Sequence, residues 1–146
     1  MPLRIKVPSK EKIIINGAVI ENAGEATTFV FHNRVDILRR KEVLSEEDAI
    51  TPARRVYFSL QCAYLFDAER ETYRERFVSY LKEYIDAAPS AEEIGAEITA
   101  LVNEDRYYDA LRATQSLIEH ETERLKKVGI LPDDDDGTPQ AQESPA

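Results

Sequence analysis

The sequence predicts an α+β fold, in which an antiparallel β subdomain over residues 1–44 precedes a helical subdomain over residues 45–131. Two observations lead to this prediction. Short β-branched segments separated by turn residues fill the first forty-odd positions, and apolar residues at helical spacing fill most of the rest. The 146 residues suffice for one ordinary domain or two small subdomains that share a core. Residues 132–146 are polar and acidic and are predicted to be a disordered tail.

The strands of the first subdomain are predicted to form a small antiparallel meander. In Leu3–Val7 apolar residues alternate with Arg4 and Lys6, which gives a strand with one apolar and one cationic face. A hairpin follows, because Asn16-Gly17 tolerates the two positive φ angles of a type I′ turn between short apolar segments. The remaining predicted strands cover residues 27–31 and 35–38.

Three to four helices are predicted in the second subdomain. Thr51 has the character of an N-cap and is followed by proline, which opens a first helix over residues 52–66. A second helix starts at Asp67, or the two form one long kinked helix. A capping-box spacing at Ser90 opens the third helix. The fourth helix begins at residue 103 or 104 and ends by Gly129.

The charge is distributed unevenly in a chain whose net charge is −9. Residues 1–44 hold eight lysines and arginines against five acids, a net charge of +3, whereas residues 45–146 hold 11 cations and 23 acids, a net charge of −12. This asymmetry predicts a basic contact module attached to an acidic one. Arg39-Arg40-Lys41 ends the predicted strands and is expected to lie near the exposed face of Arg4 and Lys6. We call these five residues the basic edge.

Arg54 and Arg55 form a second cationic group, in the first turn of the first predicted helix. Cations at this position oppose the helix dipole. A bound anion such as phosphate would relieve the conflict. Alternatively, Glu46, Glu47 and Asp48 neutralise the two arginines locally. The sequence leaves both interpretations open.

The chain lacks the motifs on which common enzyme classes depend. GxxxxGK[ST], GxGxxG and GxSxG are absent, and His32 and His120 have no zinc-ligand spacing. Cys62 stands alone in an apolar stretch, where a buried small hydrophobe is expected. The sequence therefore predicts a protein that is not an enzyme and needs no cofactor or metal. Since it shows no membrane-spanning run and no signal peptide, it also predicts a cytoplasmic protein that does not enter a membrane.

Several stretches resemble the FlbT family of flagellin-synthesis regulators of alphaproteobacteria. They are "KEKIIINGAVIENAG", "LRRKEVL", and "TPARRVYFSLQCAYLF" followed by "YLKEYIDAAPS", and the resemblance spans about residues 3 to 128. It implies a post-transcriptional regulator that associates with the 5′ untranslated region of flagellin mRNA and controls its translation and decay. It also implies a functional link with the small flagellar protein FlaF. Some members of this family repress and others activate, so the direction of the effect stays open.

The first subdomain is also similar, over about 40 residues, to the carbon storage regulator family of small β-rich RNA-binding proteins. The similarity lies in the cation-alternating first strand and in Arg40-Lys41-Glu42-Val43. It implies an intertwined homodimer that binds RNA with basic residues of its first and last strands. Arg4 and Arg40 are the positions that match.

Two functions follow as alternatives. In the first, the basic subdomain binds the phosphates of the flagellin mRNA 5′ leader. The candidate RNA-contacting residues are Arg4, Lys6, Arg39, Arg40, Lys41, Arg54 and Arg55. Phe29 and Phe31 are interpreted as core residues rather than as a base-stacking platform. In the second, the tyrosine-rich helices bind a flagellar protein such as FlaF or flagellin, and the association with RNA is indirect.

Overall fold

The structure is a computed structural model that describes residues 2–129. Within these residues the strands are β1 (Leu3–Val7), β2 (Lys12–Ile15), β3 (Ala18–Glu21), β4 (Thr27–Phe31) and β5 (Ile37–Arg39). The α-helices are α1 (Pro52–Leu65), α2 (Arg70–Ala87), α3 (Glu92–Asn103) and α4 (Tyr107–Lys127). The α+β class is confirmed, with antiparallel strands before the helices. The tail predicted over residues 132–146 lies outside the described residues.

The strands pair in an order that differs from the predicted meander. β1 pairs with β4 in a two-stranded ribbon, and β2 lies between β3 and β5 in a separate three-stranded sheet. The difference arises because the chain turns after β1, where Lys10 has a φ of 69° and its N–H donates to the Asn22 carbonyl at 2.7 Å. β2 is therefore directed away from β1. The predicted hairpin turn is confirmed, since Asn16 and Gly17 have φ angles of 50° and 86°.

Helix α1 is the centre of the core. It contacts α2 and α4, and α3 packs against α4. Leu38 of β5 is fully buried in the same cluster as the helical core residues, so the three-stranded sheet is anchored to the helices through β5. The core is formed mainly by Leu38, Val56, Leu60, Phe77, Ile98, Leu111 and Leu117.

The first two helices are separate rather than one kinked helix. Phe66 has an extended backbone with φ −121° and ψ 91°, and it interrupts the helical hydrogen bonds between α1 and α2. The Arg70 guanidinium then donates to the Ala63 carbonyl at 2.6 Å, which satisfies an acceptor in the last turn of α1. The predicted N-cap at Thr51 is confirmed, because its Oγ1 accepts from the Arg54 N–H at 3.3 Å.

The predicted capping box at Ser90 is wrong. Ser90 lies in a short 3₁₀ turn before α3, and its Oγ is 2.8 Å from Nε2 of His120 on α4. Nδ1 of the same ring is 2.8 Å from the hydroxyl of Tyr84 on α2. The Ser90 side chain therefore joins a tertiary contact between three elements and does not cap α3. The role of Ser90 is therefore determined by His120, which lies 30 positions away in the sequence.

Residues 2–129 contain no candidate membrane-spanning helix and no candidate metal-binding group of side chains. No helix in this range is both long and apolar enough to cross a membrane. In the same range no group of three or more histidine, cysteine, aspartate or glutamate side chains is arranged to hold a metal ion.

Candidate nucleic-acid interface

The two segments of the basic edge meet in the structure. The Arg39 guanidinium Nη2, at the end of β5, donates to the backbone carbonyl of Lys6 near the end of β1 at 2.7 Å. The predicted proximity of Arg39-Arg40-Lys41 to the first strand is thus present, although the two strands belong to different sheets. Arg40 and Lys41 follow directly in a short 3₁₀ turn.

Arg39 differs from the rest of the basic edge. Its Nη2 also forms an ion pair with the Glu11 carboxylate at 3.1 Å, and its side chain is only 34% exposed. The guanidinium therefore serves an internal contact that holds the β1–β4 ribbon against the three-stranded sheet. The exposed cations of the edge are Arg4, Lys6, Arg40 and Lys41. Within the described part of the chain none of these four forms an ion pair.

A surface depression of about 580 Å³ lies beside the 3₁₀ turn of the basic edge. It is lined by Glu11, Arg39, Arg40, Lys41 and Val43. Glu11 is already paired with Arg39, so the charges that face solvent here are those of Arg40 and Lys41. The depression is suited to an anionic backbone that runs along the surface.

Arg54 and Arg55 lie at the start of α1, and the anion at this helix end comes from the protein itself. The Glu121 carboxylate, on α4, accepts from the Ala53 N–H at 3.0 Å and from the Thr51 hydroxyl at 2.5 Å. Glu121 is only 5% exposed. A buried carboxylate therefore occupies the position that the sequence analysis assigned to phosphate or to the acids at 46–48. The partly buried Arg54 and the exposed Arg55 remain cations beside this site.

A second depression, of about 590 Å³, lies between β1 and α4, and we call it the tyrosine cleft. Leu3 and Ile5, on the apolar face of β1, line one side. Tyr64 of α1 and Tyr108 of α4 line the other, with ring centroids 5.8 Å apart and planes tilted by 42°. The residues at its polar side are Arg39, Lys41, Glu42 and Arg112.

Glu42 is held in a fixed orientation at this cleft. Its Oε1 accepts from the Arg39 backbone N–H at 2.9 Å, and its Oε2 accepts from the Tyr108 hydroxyl. Burial raises the pKa of Tyr108 to about 12, and the hydrogen bond to the Glu42 carboxylate adds to the shift. Tyr108 therefore stays a neutral donor to Glu42 at physiological pH.

The sequence does not mark the residues of the tyrosine cleft as one site. Tyr64 and Tyr108 lie at the spacing of core residues on their helices, which predicts packing rather than binding. The interpretation of Phe29 as a core residue is wrong, because its side chain is 39% exposed on the β1–β4 ribbon. Phe31, its ring neighbour at 6.4 Å, is partly buried and does not join the core cluster.

An apolar groove between α2 and α3 forms a separate surface. It has a volume of about 570 Å³ and includes Phe77, Leu81 and Gly95. Val78, at its margin, is 55% exposed. The groove is lined mainly by apolar side chains and could accept another protein.

Comparison with known proteins assigns the chain to a family. The family model described as flagellar protein FlbT matches residues 3–125. The chain belongs to the FlbT family. The resemblance identified from the sequence is thereby confirmed. No solved structure matches the chain.

Curated FlbT relatives match over most of their length. The chain is 33% identical over 130 residues to the probable flagellum biosynthesis repressor protein FlbT of Caulobacter sp. strain K31. This match covers 88% of the chain and 99% of the relative. It is 33% identical over 130 residues to the flagellum biosynthesis repressor protein FlbT of Caulobacter vibrioides strain ATCC 19089, a match that covers 88% of this chain and 92% of the relative. It is 35% identical over 127 residues to the probable repressor of Rhodopseudomonas palustris strain TIE-1, covering 87% and 100%. The basic edge and the tyrosine cleft lie within the residues that the FlbT model matches.

Proposed function

We propose that this FlbT-family protein regulates flagellum biosynthesis after transcription, by binding the 5′ leader of flagellin mRNA. The observation that carries the proposal is a set of four exposed cations, Arg4 and Lys6 on β1 and Arg40 and Lys41 in the 3₁₀ turn after β5. Within residues 2–129 none of them forms an ion pair. Their positive charge suits a phosphate backbone. The relatives that are named repressors favour a negative effect, in which the bound protein blocks the ribosome.

The charge of the chain limits how the RNA lies on it. Residues 45–146 carry a net charge of −12 and repel phosphates overall, so we expect most phosphate contacts on the first subdomain. If each of the four exposed cations neutralises one phosphate, log K falls with log salt at a slope of roughly −3. On this proposal the protein acts in the cytoplasm, where the mRNA is translated, and has no catalytic role.

The proposal is tested with the double variant Arg4→Ala, Arg40→Ala. Removing two phosphate contacts is expected to weaken leader binding roughly 10- to 30-fold at 0.1 M salt. The matched control is Arg76→Ala, Lys127→Ala, which removes the same charge from two exposed positions on the helices. Equal binding by both double variants would contradict the proposal, provided that circular dichroism shows both to be folded.

A second candidate function is an adaptor that binds a flagellar protein such as FlaF or flagellin and reaches RNA indirectly. The apolar groove between α2 and α3 favours it, because exposed apolar surface of this kind marks interaction sites. Here Val78→Glu would abolish regulation in cells, whereas Arg40→Ala would leave it intact. The RNA-binding proposal expects the opposite pattern.

A further inference from the structure

The tyrosine cleft opens directly onto the basic edge. Arg39 and Lys41 line both the cleft and the depression beside the 3₁₀ turn. An RNA strand whose phosphates follow the basic edge therefore passes the mouth of the cleft. The volume of about 590 Å³ lies within the range of roughly 300–1,000 Å³ that is typical of small-ligand pockets.

The lining of the cleft suits a flat ring better than it suits a phosphate. Leu3 and Ile5 on one side and the rings of Tyr64 and Tyr108 on the other provide an apolar and aromatic environment. Bases of single-stranded RNA gain stability by stacking on tyrosine once they are unstacked from their neighbours. The cations that line the cleft, Arg39, Lys41 and Arg112, are available to phosphates, whereas the Glu42 carboxylate beside the tyrosine rings favours an uncharged hydrogen-bond donor over a phosphate.

The same carboxylate has the chemistry to distinguish between bases. A carboxylate can accept about four hydrogen bonds, and the described residues supply two, from the Arg39 N–H and the Tyr108 hydroxyl. The remaining acceptor capacity of Glu42 fits an amino group. Cytosine, adenine and guanine carry such a group, whereas uracil presents a carbonyl oxygen at the equivalent position of the pyrimidine ring.

We propose that the tyrosine cleft holds one unstacked RNA base that carries an exocyclic amino group. Glu42 accepts a hydrogen bond from that group, and Lys41 and Arg112 contact the adjoining phosphates. This inference rests on the proposed RNA-binding function and adds to it the site of base recognition. The basic edge positions the strand, and the cleft supplies the preference for sequence.

The test compares homopolymeric cytidine and uridine RNAs of equal length, because the two bases have the same size and differ at the amino position. Fluorescence anisotropy of the labelled RNAs is expected to show cytidine RNA bound about fivefold or more tightly. Glu42→Gln should bring the two affinities close together, since a neutral amide accepts more weakly than a carboxylate. Arg112→Glu should weaken the binding of both RNAs.

Lys127→Glu is the matched control for Arg112→Glu. It makes the same charge reversal 15 residues further along α4, about 22 Å away, and should leave both affinities unchanged. If cytidine and uridine RNAs bind equally and Glu42→Gln changes nothing, base recognition in the cleft is refuted while the RNA-binding proposal stands. If folded wild-type protein binds neither these RNAs nor the flagellin leader, both proposals are refuted. If Glu42→Gln fails to fold, the comparison of cytidine and uridine RNAs on the wild-type protein still tests base preference, and Arg112→Glu tests whether the RNA passes the cleft.

Discussion

The replacement Glu121→Gln tests the most unexpected contact of the fold, the carboxylate of α4 that caps the N-terminus of α1. Glu121 accepts hydrogen bonds from the Ala53 N–H and the Thr51 hydroxyl, and it is nearly completely buried. Glutamine has almost the same shape but lacks the charge. The NH₂ group of the glutamine would also face one of the two donors, the Ala53 N–H or the Thr51 hydroxyl, with which it cannot form a hydrogen bond as an acceptor. We therefore expect Glu121→Gln to destabilise the protein without changing its fold.

The expected magnitude follows from the contacts that are lost. A hydrogen bond to a charged group contributes about 1.5–3 kcal/mol, and glutamine can replace one of the two acceptors with a weaker one. The negative charge at the helix N-terminus adds about 0.3–2 kcal/mol, with the higher values in buried geometry. Because these terms overlap, we expect the free energy of unfolding to fall by about 2–3 kcal/mol. The corresponding fall in Tm is roughly 5–10 °C.

Urea unfolding followed by circular dichroism measures this loss, and Glu119→Gln is the matched control. Glu119 is exposed and lies two residues earlier on the same helix. Inorganic phosphate should stabilise Glu121→Ala more than it stabilises the wild-type protein, because Glu121 already fills the anion position of the wild type. The cap is refuted if Glu121→Gln and Glu119→Gln are equally stable, or if phosphate stabilises the wild-type protein as much as Glu121→Ala.

Three further predictions concern other positions. Burial, and after it the neighbouring Glu42 carboxylate, raise the pKa of Tyr57 from 10.0 to about 12. The fold therefore favours the neutral phenol, whose contribution to stability is present below pH 10 and should be lost progressively as the pH rises towards 12. In urea unfolding over this range, the free energy of unfolding of Tyr57→Phe should depend less on pH than that of the wild-type protein. Arg39→Ala should lower the free energy of unfolding by about 1 kcal/mol, because it breaks the link between the β1–β4 ribbon and the three-stranded sheet. Arg40→Ala should weaken leader RNA binding and leave stability unchanged. Equal stability of the two variants would contradict a structural role for Arg39. Gly17→Ala should cost about 1–2 kcal/mol in thermal unfolding, since its φ of 86° disfavours a side chain, and a neutral result would count against the type I′ turn.

The sequence predicted the features that depend on neighbouring residues. The alternation in Leu3–Val7, the Asn16-Gly17 turn and the Thr51 cap each reflect local conformational preference, and each is present in the structure. The membership of the FlbT family also rests on stretches that could be read directly.

The features that the sequence did not predict join residues far apart in the chain. The pairing of β1 with β4 depends on how the chain turns after Val7, and the Glu121 cap joins residues 68 positions apart. Ser90 had a correct local pattern for a cap, yet its hydroxyl contacts His120 instead. The tyrosine cleft needs β1 to lie opposite α1 and α4 across a depression, which no periodicity within any of these elements reveals.

Direct binding of flagellin leader RNA by the protein itself is the central proposal to test. The measurement is fluorescence anisotropy of a labelled leader titrated with purified protein at two salt concentrations, beside a scrambled leader of equal length. We expect tighter binding to the leader and a log K that falls with log salt at a slope of roughly −3, one phosphate for each exposed cation of the basic edge. Folded protein that does not bind, or that binds both RNAs equally with no dependence on salt, would contradict it.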